Sequence, residues 1–176
     1  MPFGSVFRHS PLLFILGSSF WNFVGGGVLG FFINIPVINY FEHGTYLTVA
    51  HAHAATFGTF GLLALGLCTH ILRVVSPEVA WEPGWFQATF WLTNIGLVVM
   101  TVASLLPLGF SQLRTVYAEG YDAARSPEFY ERPRNKRLLW ARSLGDVPMI
   151  LGATTFALGA IRHLLAARND AEKLPA

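Results

Sequence analysis

The chain has 176 residues, of which 53% are hydrophobic and only 12% are charged. Soluble domains carry roughly 25% charged residues, so this composition excludes an ordinary soluble protein. The net charge of +2 is small and the basic residues are dispersed, which gives nucleic-acid binding no support. The single cysteine, Cys68, excludes an internal disulfide bond.

Long stretches without Asp, Glu, Lys or Arg divide the sequence. Three of them cover residues 9–41, 43–72 and 83–113. Each exceeds the ~20 residues that a helix needs to cross the ~30 Å hydrocarbon layer. A fourth stretch, 147–161, is shorter, but Asp146 and Arg162 at its ends can reach the interface. The sequence therefore predicts an all-α polytopic membrane bundle of four transmembrane helices.

The predicted membrane domain covers residues 11–165, between an N-terminal segment, 1–10, and a C-terminal tail, 166–176. Pro36 is expected to end the first helix, and Thr45 to cap the second. The four helices are predicted at about 11–36, 45–72, 86–110 and 144–165. Residues 114–143 hold seven basic and four acidic residues with two prolines, and are predicted to form a polar loop.

His51 and His53 lie about two turns into the second predicted helix, among apolar and small residues. A histidine inside a membrane is costly unless it is paired or ligated, which makes both residues functional candidates. Residues i and i+2 of an α-helix point about 200° apart, so the two imidazoles can each hold a different metal but cannot chelate one. Flat macrocycles on both sides would need small neighbours, and the sequence supplies Ala50, Ala52, Ala54, Ala55, Gly58 and Gly61.

Imidazole is a common axial ligand of haem iron, and its second nitrogen needs a hydrogen-bond partner that fixes the ring. Thr48, one turn before His51, is the predicted partner. The alternative interpretation is a pair of polar histidines at helix contacts, bonded to backbone carbonyls or to neighbouring side chains. Spacing alone leaves both interpretations open.

Four segments resemble the haem-copper oxidase superfamily, nearest to its nitric oxide reductase branch and, within that branch, to the quinol-dependent type. They are FWNFVGGGVLGF at 20–31, NYFEHGTYLTVAHAH at 39–53, FWLTNIGL at 90–97 and GDV at 145–147. The resemblance extends over nearly the whole chain. It concerns the last four core helices of subunit I only.

The resemblance implies that His51 is the axial ligand of a high-spin haem b3 and that His53 is one of two axial ligands of a low-spin haem b. It implies reduction of two nitric oxide molecules to nitrous oxide at haem b3 and a non-haem iron, as in denitrifying respiration. Electrons would come through haem b from quinol or another donor. The implied location is a bacterial-type inner (plasma) membrane, with the start of the second helix periplasmic and both termini cytoplasmic.

The sequence departs from this family in its histidines. Earlier helices of such enzymes supply three histidines for the non-haem iron and the second ligand of haem b. The other histidines here lie at or beyond helix ends; they are His9, His43, His70 and His163. We therefore expect no complete catalytic site in this chain, and a non-haem iron only if missing helices supply its ligands. The expected partner is the remaining core helices, in a separate chain or a missing N-terminal part.

Three functions follow from these observations. The chain is a haem-carrying part of a nitric oxide reductase, inactive alone; or it is a stand-alone b-type electron-transfer cytochrome; or it is a membrane assembly protein or degenerate remnant without haem. A chain that supplies the missing histidines would favour the first. Haem spectra would separate the third from the other two.

Several other polar residues also have predicted roles. Asn94 is predicted to make an interhelical hydrogen bond, and Asp146 to lie at a helix N-terminus, where the helix dipole favours a carboxylate. A contact of Asp146 with haem propionates or a proton route is the alternative. Basic residues near the histidine pair are interpreted as interfacial charges, with propionate contacts as the alternative; with His43, they are Arg114, Arg137 and Arg142.

Overall fold

A computed structural model describes residues 10–77, 79 and 81–171, and all the secondary structure in them is helical. Four segments are long and apolar enough to cross a membrane, which confirms the predicted fold class. The helices are α1 (Ser10–Asn34), α2 (Pro36–Glu42), α3 (Tyr46–Val75), α4 (Pro83–Glu119), α5 (Tyr121–Arg125), α6 (Pro127–Glu131), α7 (Pro133–Ala141) and α8 (Ser143–Ala171). The fourth candidate span runs through α7 and α8, from Pro133 to Asp170.

Local sequence explains the start of α2 and α3. Ile35 adopts an extended backbone because Pro36 disfavours the helical conformation before it, and Pro36 then opens α2 at its first turn. Thr45 caps α3 as predicted, since its hydroxyl accepts from the Leu47 N–H at 3.2 Å. Gly44, with φ +73°, provides the left-handed residue between the two helices.

The predicted polar loop at 114–143 is wrong as a description of structure. The α4 helix continues to Glu119, and α5, α6 and α7 follow with only single-residue breaks. Each of α6 and α7 opens with a proline, and Ser126 caps α6 by accepting from the Phe129 N–H. The charges and prolines of this segment therefore mark the boundaries of short helices and not a loop. Residues 1–9 of the predicted N-terminal segment and 172–176 of the predicted tail lie outside the described residues, whereas residues 166–171 of that tail continue α8.

The α4 and α8 helices run antiparallel and make the most extensive contact in the bundle. Gly96 and Gly145 lie at this contact, where a Cβ on Gly96 would be 2.6 Å from the Gly145 carbonyl oxygen. The Thr89 and Thr155 hydroxyls bond across the same interface at 3.0 Å. Small residues that let backbones approach, with hydroxyls bonding between helices, are typical of packing in membranes.

The α1 and α3 helices also run antiparallel and approach closely. A Cβ on Gly25 would lie 2.6 Å from the Ala54 backbone, and one on Gly58 would lie 2.6 Å from Trp21. Trp21 continues the contact to α4, because its Nε1 donates to the Asn94 amide oxygen at 2.9 Å. This bond confirms the predicted interhelical role of Asn94.

Three transmembrane helices contain π-helical segments, at Asn22–Leu29 in α1, His53–Gly61 in α3 and Thr101–Leu105 in α4. Such segments are uncommon and occur frequently at functional sites. The segments of α1 and α3 contact each other beside the histidine pair. The segment of α4 ends two residues before Pro107, whose missing N–H interrupts the regular ladder.

We expect Gly96→Ala to destabilise the bundle by about 1–3 kcal/mol, since its methyl group would overlap the backbone of α8. Gly84→Ala is the matched control, because a Cβ at Gly84 meets nothing within 4 Å. The measurement is helicity during denaturation with sodium dodecyl sulfate. Equal loss of stability in both variants would contradict the close α4–α8 packing.

Candidate functional site

Both candidate ligands lie near the start of α3. His51 belongs to its first α-helical part, Tyr46–Ala52, and His53 is the first residue of the π-helical segment. The step between them is therefore still α-helical, which preserves the predicted separation of about 200°. Each side chain is half-buried.

The Nδ1 atom of each histidine lies against a backbone carbonyl. His51 Nδ1 is 2.8 Å from the Gly25 oxygen of α1, and His53 Nδ1 is 2.9 Å from the Val49 oxygen one turn back. A carbonyl only accepts, so each Nδ1 carries a proton, and the nitrogen that can offer a lone pair to a metal is Nε2. This tautomer is the one that a metal bound at Nε2 requires.

The bond to Gly25 depends on the local backbone of α1. The Gly25 oxygen also accepts from the Gly30 N–H, five residues later, as in a π-helix. A Cβ at Gly30 would lie 3.2 Å from His51 Cε1, so glycine leaves room for the imidazole. The glycine cluster of α1 thus supplies both the acceptor and the space for His51.

The prediction that Thr48 orients His51 is wrong. Thr48 instead donates to a Glu42 carboxylate oxygen at 3.0 Å and accepts from the Gly44 N–H at 3.2 Å. It is engaged by the turn before α3 because it lies on the helix face towards that turn. Glu42 is only 1% exposed, a buried carboxyl group that sequence reasoning did not single out.

Gln112 of α4 fixes the start of α3 and was also missed. Its side-chain oxygen accepts from the Tyr46 N–H at 2.7 Å, and its nitrogen donates to the Ala124 carbonyl and the Tyr130 hydroxyl. The side chain is 1% exposed. Burial raises the pKa of Tyr130, and nearby Tyr46 adds to this, while the bond from Gln112 opposes it. The backbone contacts of Gln112 could not be predicted from the sequence.

The other predicted polar residues are dispersed around the end of the bundle where α3 begins. Asp146 lies in the first turn of α8, as predicted, and pairs with Arg142 at 3.4 Å. Arg137 donates to the Pro133 carbonyl, and the side chains of His43 and Arg114 are exposed. No contact in the described residues joins any of them to His51 or His53.

The remaining histidines do not complete the site. His163 is buried at the opposite end of the bundle, where its Nε2 donates to the Leu72 carbonyl at 3.1 Å. His70 is exposed near the end of α3, and His9 lies outside the described residues. Among the described residues, no three His, Cys, Asp or Glu side chains form a metal-binding group.

Comparison with known proteins gives the family. Residues 3–148 match the family of cytochrome c and quinol oxidase polypeptide I. The chain belongs to this family. The matched region includes all of α1 to α7 and the start of α8, so it covers the histidine pair and its surroundings.

Relatives of the chain include a nitric oxide reductase subunit and a cytochrome c oxidase polypeptide. A nitric oxide reductase subunit of Stutzerimonas stutzeri is 27% identical over 97 residues, which are 51% of this chain and 20% of that protein. Cytochrome c oxidase polypeptide 1 of Halobacterium salinarum is 28% identical over 115 residues, which are 65% of this chain and 19% of that protein. The chain thus spans about a fifth of the length of these relatives. Family and apolar helices together make it a membrane-embedded protein.

We expect Gln112→Leu to loosen the start of α3, because it leaves the Tyr46 N–H and the Ala124 carbonyl without their partner. The expected loss of stability is about 1–3 kcal/mol, the usual cost of an unsatisfied buried polar group. Hydrogen exchange at Tyr46 should accelerate. Gln112→Glu keeps the acceptor for Tyr46 and should accelerate this exchange less; equal exchange in wild type and Gln112→Leu would contradict the role.

Proposed function

We propose that this chain is a haem-binding portion of a membrane nitric oxide reductase, corresponding to the last core helices of its catalytic subunit. His51 would be the axial ligand of haem b3, and His53 one axial ligand of haem b. The observation that carries the proposal is that both rings keep Nε2 available while a backbone carbonyl holds Nδ1. An imidazole with Nδ1 bonded and Nε2 free has the tautomer of an axial haem ligand.

The surroundings of the two rings fit a flat ligand. Ala52, between the histidines, and Thr56, one turn later, are exposed, and neither has a bulky side chain. On the α1 side, a Cβ added at Gly26 or Gly27 would meet only Asn22 and Phe23 of the same helix. At these positions the helix surfaces beside the histidines therefore carry only small side chains, which leaves room for a macrocycle to approach.

Bound haem would supply iron that changes oxidation state and, at haem b3, a coordination position for substrate. The protein supplies the two axial nitrogens, fixes the proton on each Nδ1 and holds the rings at one level through the Gln112 and Thr45 contacts at the start of α3. The helix length from Tyr46 to the histidines is about 8–11 Å at 1.5 Å per residue. Both ligands thus lie near one membrane surface.

The proposed partners follow from the missing ligands. Remaining core helices would supply the second haem b ligand and the residues for a non-haem iron, and quinol or another donor would supply electrons. We propose a bacterial-type plasma membrane, with the histidine end periplasmic and the opposite end, which carries both termini, cytoplasmic. The similarity to the nitric oxide reductase of Stutzerimonas stutzeri supports this choice of reaction.

Haem binding should depend on each histidine separately. We expect His51→Ala to remove a high-spin signal and His53→Ala a low-spin signal from optical and electron paramagnetic resonance spectra of the chain purified with haem and the remaining core helices, which would supply the second ligand of haem b. Each variant should keep at least part of the other signal, because the rings leave different sides of α3.

His70→Ala is the matched control, since His70 is exposed at the other end of the same helix and should leave both signals intact. Loss of one and the same spectral species in both variants would contradict the two-sided arrangement. Unchanged haem content in the double variant would contradict haem ligation by this pair.

The purified chain alone should not reduce nitric oxide. The proposed reaction needs a second iron beside haem b3, and iron ligands in proteins are commonly histidines and carboxylates. His43 is eight residues before His51, across the Gly44 turn, and is exposed. Gas chromatography should detect no nitrous oxide from the chain with haem and a reductant, and turnover should return with the remaining helices. Nitrous oxide from the isolated chain would contradict this prediction.

A further inference from the structure

An open apolar cleft of about 420 Å³ lies between α2 and α4, at the end of the bundle where α3 begins. The walls of this α2–α4 cleft are Val37, Ile38 and Phe41 on α2, with Phe110, Leu113 and Tyr117 on α4. Its volume falls within the range of about 300–1,000 Å³ that is usual for small-molecule sites. The cleft has no part in the proposed haem ligation.

The walls of the cleft are exposed although they are apolar. Val37 is 72% exposed and Phe110 is 59% exposed. Phe41 and Tyr117 stand edge to face at 5.7 Å across the cleft, which ties α2 to α4. Apolar and aromatic surface of this kind, at the end of a transmembrane helix, is suited to contact with hydrocarbon chains.

Arg114 contributes the only charge that the described residues bring to the lining of the cleft. It directly follows the charge-free stretch 83–113, so it marks the level at which α4 leaves the hydrocarbon layer. Three other cations at this end are engaged: Arg132 pairs with Glu119, Lys136 with Glu131, and Arg142 with Asp146. Within the described chain, Arg114 has neither an ion-pair partner nor a hydrogen bond.

We propose that the α2–α4 cleft binds one anionic phospholipid, with the phosphate on Arg114 and an acyl chain between α2 and α4. A guanidinium matches two phosphate oxygens with parallel hydrogen bonds. A headgroup without a cation of its own leaves the phosphate charge for Arg114 to compensate, which explains the choice of an anionic lipid. The apolar walls explain the acyl chain, and the surrounding membrane supplies the ligand. A neutral quinol or an apolar partner helix would leave the charge of Arg114 without a counterpart.

Native mass spectrometry of the full chain in neutral detergent tests the proposal, with phosphatidylglycerol and phosphatidylcholine of identical acyl chains as probes. Wild type should retain one phosphatidylglycerol in preference to phosphatidylcholine. Arg114→Gln should weaken phosphatidylglycerol binding by about fivefold, the usual effect of one basic residue near anionic lipid, and should weaken phosphatidylcholine less, because choline already compensates its phosphate. Arg114→Lys should keep part of the preference.

Arg134→Gln is the matched control: Arg134 is exposed at the same end, outside the cleft, and the charge change is identical. Val37→Trp fills the cleft and should weaken both lipids. Equal effects of Arg114→Gln and Arg134→Gln would overturn the proposal, as would unchanged lipid retention in Val37→Trp. Displacement of phosphatidylcholine and phosphatidylglycerol alike by a ubiquinol analogue would assign the cleft to a neutral ligand and overturn it too. Circular dichroism confirms that each variant is folded, and the test needs no haem.

Discussion

The close approach of α1 and α3 at Gly25 is the constraint on which the candidate site depends. Any side chain there would overlap the backbone at Ala54, and with glycine the carbonyl comes within 2.8 Å of His51 Nδ1. Interhelical hydrogen bonds in membranes contribute only about 0.6–2 kcal/mol. The bond matters mainly for the chemistry of His51, because it decides which ring nitrogen keeps its lone pair.

Contacts at the end of the bundle where α3 begins fix the position of the site along α3. Gln112 joins the first N–H of α3 to α4 and to the segment before α6, while Thr45 and Glu42 close the turn from α2. Each of these contacts involves Gln112 or a residue within four positions of Tyr46. The positions of His51 and His53 along α3 are thus set by their distance from this turn. The contact of α3 with α1 limits rotation of the helix.

The sequence was sufficient for the four spans and for the cap at Thr45, because charge-free length and capping are local properties. It also placed Asn94 in an interhelical bond. It failed at residues 114–143, where charges and prolines hid three short helices that open with proline or glycine breaks. It failed for Thr48, and it missed Gln112 and the Gly25 carbonyl. Gly25 lies 26 positions from His51 and Gln112 lies 66 positions from Tyr46, and only tertiary packing brings these pairs together.

Because His51 and His53 are half-exposed, the chemistry of their exposed atoms limits what can cover them. The lone pair on each Nε2 needs a partner, and lipid hydrocarbon offers none, so contact with lipid alone would leave a polar atom unsatisfied at a cost of several kcal/mol. Lipid can cover the leucines, isoleucines and phenylalanines exposed elsewhere on α1 and α8 at no such cost. The two sides of α3 that carry His51 and His53 therefore each require a partner with a metal or a hydrogen-bond donor. Since backbone carbonyls already occupy both Nδ1 atoms, that partner must be reached through Nε2.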